Sequence, residues 1–327
     1  DTAERDDLLL RLMGSPDERQ IDGIGGAHPL TSKVAVVSRS AGGDTDVDYL
    51  FLQIMVDEPV VTDSQNCGNI LAGIGPFAVE RGLVAATGDE TTVRIRMVNT
   101  DSTVVATFPT PGGRPRYSGD LAIDGVPGTA APIELAFSDT AGGTTGALLP
   151  TGSVTDVVEG VRVTCVDNGM PSVLIAAADL GVQGTEEPVD LESDEALQAR
   201  LRSIRSAAAE LMGMGDVSTA TVPKMVLLSP PAAGGTVSTR SFLPVRVHTS
   251  IGVLGAQTVA AGIAIDGAVG SDFADLPGPG SPFRIEHPTG HMDIRIDFVP
   301  GSTDIASSVV YRTARKLFDG TVFPRSS

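Results

Sequence analysis

The sequence has no tryptophan and only 3 tyrosines, 2 cysteines and 4 histidines among 327 residues. So few aromatic side chains argue against a surface that stacks nucleobases, and a formal net charge of -18 repels phosphate backbones, so nucleic-acid binding is not expected. No uncharged stretch suggests a membrane span, which needs roughly 18 residues. The 38 glycines and 22 prolines are typical of a β-rich protein with many tight turns, and the length favours two domains.

Metal and disulfide chemistry also has little support. Cys67 and Cys165 lie far apart and form no C-x-x-C motif, so we expect a reducing, cytoplasmic compartment with both thiols free. His287 and His291 have the spacing of metal ligands on a helix, but the proline and glycine between them disrupt a helix. The acidic N-terminal segment is not a signal peptide. No metal site is predicted.

One order of elements occurs twice along the chain. A helix ending in Leu-Met-Gly precedes a strand that begins at Lys33, and the same arrangement precedes a strand that begins at Lys224. A second strand, an uncharged Gly/Ala-rich run and a strand containing Ile-Arg follow in each copy. Such repetition indicates two copies of one folding unit. We predict domains at residues 1–150 and 151–302, with 303–327 completing the first.

The second copy has a strand–turn–strand at residues 161–180, ahead of its helix, for which the first copy has no counterpart. We therefore expect an N-terminal strand–turn–strand to be missing from this chain. The helix of the second copy is expected to start after an N-cap at Ser193 and to end at Gly213. Its predicted apolar stripe consists of Leu197, Leu201, Ile204, Ala208 and Leu211. The first copy's helix is expected around residues 8–13.

The uncharged runs at residues 70–79 and 251–256 have no polar side. A helix that is apolar all round must be buried on every side, which a curved sheet or barrel provides; a buried strand is the alternative. The Gly-x-Gly at residues 73–75 falls inside the first predicted helix, so no dinucleotide site is expected. The predicted fold class is α+β, with two pseudo-repeated domains, each a curved β-sheet or barrel around a buried central helix.

Two residues stand out chemically. Cys67 directly precedes the first apolar run, where a helix N-terminus lowers a thiol pKa and stabilises a carboxylate, and Asn66 and Asn69 can add amide donors. Lys33 begins a hydrophobic strand, where partial desolvation lowers an ammonium pKa toward that of a general base. An ordinary strand-edge charge and a buried structural thiol are the alternatives.

The combined motifs resemble the cofactor-independent allylic isomerases, a family that includes 4-oxalomesaconate tautomerase and the methylaconitate and methylitaconate isomerases. The family is similar in fold to diaminopimelate epimerase, with an active site between two domains. The matching segments span essentially the whole chain: Ile24-Gly25-Gly26-Ala27, Thr31-Ser32-Lys33-Val34, residues 46–51, Asn66-Cys67-Gly68-Asn69, Gly75-Pro76-Phe77-Ala78, Val222-Pro223-Lys224, His287-Pro288-Thr289-Gly290 and Arg312-Thr313-Ala314-Arg315.

The resemblance implies a 1,3 proton shift in an unsaturated polycarboxylate, without a redox cofactor or metal. The substrate it suggests most closely is 4-oxalomesaconate, from the 4,5-cleavage breakdown of protocatechuate and gallate. By this resemblance Lys33 is the base, and Cys67 is either a second acid/base or a residue that shapes the pocket. The substrate-binding candidates are Ser32, Asn66, Gly68, Asn69, Ser250, Ile251, His287, Thr289 and Gly290.

Other functions stay open at this point. A methylaconitate- or methylitaconate-type isomerase belongs to the same family. A racemase or epimerase of the same fold would need a second thiol, but the equivalent turn, His248-Thr249-Ser250, has no cysteine. A non-catalytic carboxylate-binding protein would bind a tricarboxylate without changing it. The expected partner is a small polycarboxylate substrate, and a homodimer is left open.

Overall fold

The computed structural model describes residues 1–64, 67–243, 245–300, 302 and 304–326. The chain forms two compact units. Unit 1 comprises Asp1–Ala122, Gly128–Leu135 and Arg312–Ser327, and unit 2 comprises Ile123–Pro127 and Ala136–Tyr311. Residues 136–150 therefore belong with unit 2, and the chain from residue 312 onward belongs with unit 1. The sequence-based domain limits at residues 150 and 303 stay predictions.

The elements alternate short helices with strands, in a mixed α/β arrangement made mostly of sheet. The first part of the chain forms α1 (Thr2–Met13), β1 (Lys33–Arg39), β2 (Val47–Ile54), β3 (Val61–Thr62), α2 (Gly68–Leu71), α3 (Ile74–Glu80), β4 (Glu90–Met97), β5 (Ser102–Pro109), β6 (Leu121–Ala122), β7 (Thr129–Ala130) and β8 (Ile133–Phe137). The remainder forms β9 (Asp156–Val158), β10 (Val161–Val166), β11 (Ser172–Ala176), α4 (Pro188–Ser193), α5 (Glu195–Leu211), β12 (Lys224–Ser229), β13 (Val237–Leu243), β14 (Arg246–Val247), α6 (Val253–Ile263), β15 (Phe283–His287), β16 (Gly290–Phe298) and β17 (Ile305–Arg312).

Strand pairing confirms the internal repeat. In unit 1, β1 pairs antiparallel with β2, and β2 pairs parallel with β4. In unit 2, β12 pairs antiparallel with β13, and β13 pairs parallel with β15. A parallel pair requires a crossover connection, and the apolar helices lie in these two crossovers. Lys33 and Lys224 therefore begin equivalent strands of two similar units.

The crossover helix of unit 2 lies further along the chain than the predicted run at residues 251–256: it begins at Val253, its first three residues are only partly buried, and its later turns are buried. In α6 every residue from Ala256 to Ile263 is buried, and the helix packs against β10, β11, β15 and β16. A side chain at Gly262 would overlap Leu174, so the close contact between helix and sheet requires glycine there. This arrangement confirms the prediction of a central helix inside a sheet.

The crossover of unit 1 differs from the single helix that we predicted over residues 70–79. The chain forms α2 and α3 there, and α3 packs against β1, β4 and β5. Pro76 has no N–H to donate to the carbonyl four residues earlier, so one continuous helix would lose a hydrogen bond at this point. Phe77 is 40% exposed, so the expectation of a helix buried on every side is wrong at this residue.

The two longer helices also differ in detail from expectation. Asp1 caps α1, so this helix begins well before residue 8. In α5 the N-cap is Asp194, whose carboxylate accepts a hydrogen bond from the backbone N–H of Leu197 at 2.9 Å, and Ser193 instead ends α4. The apolar stripe of α5 is buried from Leu197 to Ala208, but Leu211 is 51% exposed. In the described part of the chain, no helix has the length and apolarity to cross a membrane.

Candidate active site

Lys33 and Cys67 lie together in unit 1. Lys33 is the first residue of β1, and its Nζ donates a hydrogen bond to Cys67 Sγ at 3.6 Å. Both residues are half-buried. Within the described ranges no carboxylate forms an ion pair with Lys33, whereas Lys316 pairs with Glu80 at 2.8 Å and Asp319 at 3.0 Å. An ammonium beside a thiol and without a fixed anion is free to exchange a proton with a bound molecule.

A buried glutamine holds the loop that leads to Lys33. Gln20 is 1% exposed, and its Oε1 accepts hydrogen bonds from Ala27 N at 2.9 Å and Ser32 Oγ at 2.8 Å. Its Nε2 donates to Ser15 Oγ at 3.1 Å. The hydroxyl of Ser32 is therefore engaged by the protein itself. This geometry gives Ser32 a role in fixing the backbone next to Lys33.

A second buried amide acts on the same loop. Gln53 lies opposite Lys33 in the β1–β2 register, and its Nε2 donates to the carbonyl oxygens of Pro29 at 2.9 Å and Ser32 at 3.0 Å. Gln20 and Gln53 were not candidates in the sequence, since a glutamine in a loop and one in a strand carry no motif. Together they fix the residue before Lys33 from two sides.

Cys67 occupies the N-cap position of α2, as its place ahead of the apolar run predicted. However, α2 is a single turn of 4 residues, so its dipole is far weaker than that of the longer helix we expected. The buried Tyr49 donates a hydrogen bond to the carbonyl oxygen of Cys67 at 3.3 Å. Burial, with a smaller contribution from the Cys67 charge, raises the pKa of Tyr49 far above its ordinary value. Tyr49 therefore stays a neutral donor that holds the Cys67 backbone.

The remaining candidates of unit 1 surround Cys67 in the chain. Gly68 and Asn69 form the first turn of α2, where Gly68 is partly buried and the Asn69 side chain is exposed. Asn66 lies outside the described residues. The backbone N–H groups of this turn have no partner within the helix, as at every helix start.

Unit 2 brings a second set of candidates together. Ser250 Oγ lies 3.3 Å from His287 Nε2, and Thr289 Oγ1 lies 3.4 Å from His287 Nδ1. Thr289 also donates to the carbonyl oxygen of Thr249 at 2.8 Å, which joins the β15–β16 turn to the segment before α6. Burial lowers the pKa of His287, so this imidazole is neutral near pH 7. Ile251 follows Ser250 in the chain, just before α6, and its side chain is buried.

The backbone conformation and the packing at Gly290 both require glycine. Its φ of +150° favours glycine, and a side chain there would collide with the carboxylate of Asp124. That carboxylate accepts a hydrogen bond from His291 N at 2.6 Å and lies 3.1 Å from His291 Nδ1. Gly290 thus allows the turn to close on Asp124. The other ring nitrogen of His291, Nε2, lies 4.0 Å from Asp293 Oδ1.

Lys224 and His248 are additional polar residues of unit 2 that our list of site candidates omitted. Both are half-buried, and His248 precedes Ser250 by two residues. Burial, and after it the charge of Lys224, lowers the pKa of His248. Their signal in the sequence is the repeat itself, because Lys224 corresponds to Lys33 and His248 lies in the turn that corresponds to Cys67.

Other parts of the described chain offer less chemistry. Cys165 is fully buried in β10, and burial raises the pKa of its thiol to about 12. The described residues contain no cluster of three or more His, Cys, Asp or Glu side chains that could hold a metal ion. A cavity of about 560 Å³ in unit 2 has Arg162 and Asp272 in its wall but no lysine, histidine or cysteine. The wall of this cavity therefore lacks the lysine, cysteine and histidine side chains that characterise the candidate residues of unit 1 and unit 2.

Comparison with known proteins decides the family. A family model described as PrpF protein matches residues 1–325. The chain belongs to the PrpF protein family. A relative from Novosphingobium sp. (strain KA1), named (4E)-oxalomesaconate Delta-isomerase, is 56% identical over 324 residues, which cover 99% of this chain and 90% of the relative. A relative from Pseudomonas putida, named 4-oxalomesaconate tautomerase, is 55% identical over 97% of this chain and 88% of its own length.

The crystal structure of another isomerase has a similar fold. The crystal structure of a methylitaconate-delta-isomerase matches with a TM-score of 0.91 and 33% identity, over 98% of this chain and 88% of that chain. Membership of the PrpF family confirms the resemblance drawn from the sequence motifs. The prediction of an isomerase is confirmed as well, because these relatives carry isomerase or tautomerase names.

Proposed function

We propose that this PrpF-family isomerase moves a carbon–carbon double bond by a 1,3 proton shift, and that its substrate is the unsaturated tricarboxylate 4-oxalomesaconate. The observation that carries the proposal is the position of Lys33 Nζ, which lies 3.6 Å from Cys67 Sγ without a carboxylate partner in the described residues. The names of relatives at 55–56% identity support the choice of substrate.

The proposed reaction needs only one base. The neutral amine of Lys33 takes a proton from the carbon next to the double bond, and the electron pair left on that carbon spreads over three carbons and a conjugated oxygen. The same amine, now protonated, returns the proton two carbons away, so that the double bond moves and no atom is gained or lost. Cys67 lies close enough to Lys33 to accept or return a proton as its partner.

The negative charge that develops on oxygen needs fixed hydrogen-bond donors. In unit 1 we propose the backbone N–H groups of Gly68 and Asn69, with Asn66 as a further candidate outside the described residues. In unit 2 we propose donors from the segment at Ser250 and Ile251 and from the turn that contains His287, Thr289 and Gly290. Ser32 contributes through its backbone position, because its hydroxyl donates to Gln20.

Two alternatives have weaker support. A racemase of the two-thiol kind is disfavoured, because Cys165 is buried with a raised pKa and the turn at His248–Ser250 has no thiol. A methylaconitate- or methylitaconate-type isomerase would act by the same chemistry, but the relatives with those names are only 33–36% identical. The proposed partner is therefore a small polycarboxylate. The cytoplasmic location and the homodimer stay predictions from the sequence.

Replacement of Lys33 tests the proposal. Lys33→Met keeps the length of the side chain but removes the amine, and we expect kcat for 4-oxalomesaconate to fall by at least about 100-fold, the typical contribution of a general base. Turnover is followed by ultraviolet absorbance, and proton NMR in D₂O shows which carbons exchange. Lys316→Met, which removes a lysine that is already paired with Glu80, is the matched control and should keep wild-type activity.

Three results would contradict the proposal. Near-wild-type turnover by a folded Lys33→Met variant would exclude Lys33 as the base. Deuterium exchange at a saturated carbon of an amino acid, without movement of a double bond in 4-oxalomesaconate, would indicate a racemase or epimerase instead. Binding of the tricarboxylate without any change in its absorbance would indicate a non-catalytic protein.

A further inference from the structure

Lys224 is a second lysine without an internal counter-ion. It begins β12 and is half-buried, and in the part of the chain that the structure describes its ammonium has neither a carboxylate within ion-pair distance nor a hydrogen-bond acceptor. The chain carries 41 acidic residues and only 3 lysines, so an unpaired, half-buried ammonium is unusual in this composition. A cation in such a position favours an anion from outside the protein.

The loop before Lys224 is held by a buried arginine. Arg205 is 7% exposed, and its guanidinium donates hydrogen bonds to four backbone carbonyl oxygens. Its acceptors are Val217 at 3.0 Å, Ala220 at 2.7 Å, Val222 at 2.9 Å and Pro223 at 3.0 Å. These bonds fix the chain directly before Lys224, and among the described residues no carboxylate pairs with the positive charge of Arg205. Burial, and after it the charge of Arg205, lowers the pKa of Lys224.

His248 projects from the same face of the sheet as Lys224. Side chains alternate along a strand, so Lys224 and Val226 point to one face of β12. Val226 pairs with Ser241 of β13, and the carbonyl oxygen of Ser241 accepts the backbone N–H of His248 at 2.8 Å. Paired residues of neighbouring strands share a face, which places His248 with Lys224.

The hydrogen bonds of His248 make it a donor toward that face. Its Nδ1 accepts the backbone N–H of Ser250 at 3.0 Å, so the proton of the neutral ring lies on Nε2. Two carboxylates on neighbouring segments are occupied: Glu192 accepts the N–H of Val247 at 2.8 Å, and Asp124 accepts that of His291. Lys224 and His248 thus present an ammonium and an imidazole N–H, whereas the Ser250 hydroxyl is already engaged with His287 Nε2 at 3.3 Å.

We propose that Lys224 and His248 form a carboxylate-binding site in unit 2, with Lys224 as its charged anchor. A carboxylate has two oxygens that accept hydrogen bonds, and an ammonium and an imidazole N–H supply one donor for each. The ligand class is a polycarboxylate anion, and this assignment rests on the proposed function. The loop that Arg205 holds keeps the ammonium in place without supplying a competing anion.

Calorimetry with tricarballylate tests this site, because this saturated tricarboxylate has no double bond to move. We expect wild-type protein to bind it, and Lys224→Met to raise the dissociation constant by about 10- to 100-fold, the usual effect of losing a charged hydrogen bond. Lys224→Arg keeps the charge and should stay within about 5-fold of wild type. Arg202→Met removes the same charge from an exposed position of α5 and should leave binding unchanged. Thermal melting shows that each variant is folded.

Turnover separates this proposal from the proposed function. If wild type isomerises 4-oxalomesaconate, Lys224→Met should raise KM more than it lowers kcat, since binding rather than proton transfer is affected. If wild type binds tricarballylate through Lys224 but does not isomerise 4-oxalomesaconate, the proposed function fails and the carboxylate site stands. If folded Lys224→Met binds tricarballylate as wild type does, or if wild type does not bind it, the carboxylate site is refuted.

Discussion

Replacing Gln20 with methionine should weaken both the stability of unit 1 and the position of Lys33. Methionine has nearly the length and volume of glutamine, so packing is retained while the carboxamide is lost. Three hydrogen bonds disappear, and two donors lose their acceptor: the N–H of Ala27 and the fully buried hydroxyl of Ser32. Water can reach Ala27, which is exposed, but not Ser32.

The expected magnitude follows from this difference. A buried donor without a partner costs about 1–3 kcal/mol, and each lost hydrogen bond about 1 kcal/mol, so Gln20→Met should lower the free energy of unfolding by about 2–4 kcal/mol. Lys33 directly follows Ser32, so kcat should fall by about 10- to 100-fold as the amine loses its fixed position. Urea unfolding followed by circular dichroism is the suitable assay, because the chain has no tryptophan.

A double-mutant cycle gives the control. Gln20→Met leaves the Ser32 hydroxyl without an acceptor, and Ser32→Ala removes that hydroxyl. The loss of unfolding free energy in the double variant should therefore be smaller, by about 1 kcal/mol or more, than the sum of the losses in the two single variants. Additive effects, or a Gln20→Met variant within about 0.5 kcal/mol of wild type, would refute the argument that Gln20 holds the loop before Lys33.

Two further predictions concern Cys67 and the histidines. Cys67→Ser should keep kcat within about 10-fold of wild type, because Lys33 can act as the only base; complete loss of turnover would instead support a two-residue acid/base pair. Burial lowers the pKa of His248 and His287 from the ordinary value of 6.5, so the unfolded chain binds more protons and stability should fall as the pH drops below about 6.5. Urea unfolding at pH 5.5 and 7.5 measures the difference in the free energy of unfolding between the two pH values. His248→Gln should reduce this difference, and an unchanged difference would contradict the lowered pKa of His248.

The sequence predicted those features that depend on local pattern or repetition. The two lysine-led strands, the crossover helices and the position of Cys67 at the start of a helix all followed from the order of elements. The contact between Lys33 and Cys67, which are 34 residues apart, was anticipated only through the family resemblance. Spacing along the chain does not by itself determine which side chains a fold brings together.

Features that depend on buried polar groups were missed. The periodicity of α5 indicated its apolar stripe but not Arg205, whose acceptors are carbonyl oxygens 12 to 18 residues away. The same holds for Gln20 and Gln53, which bond to backbone groups of a loop without regular structure. We predicted one helix over residues 70–79 because the run is uniformly hydrophobic. Hydropathy carries no information on the missing N–H of Pro76, which disfavours one continuous helix.

Lys33 and Lys224 have no counter-ion among the residues that the structure describes, which has a practical consequence for solution work. Small anions of the medium, such as citrate or phosphate, are competitors for these ammonium groups, so the choice of buffer becomes part of any kinetic measurement. Added salt should act in two opposite ways on a trianion approaching a chain of net charge -18: it screens the long-range repulsion and weakens the short-range attraction. A turnover rate that passes through a maximum at intermediate ionic strength is the expected signature.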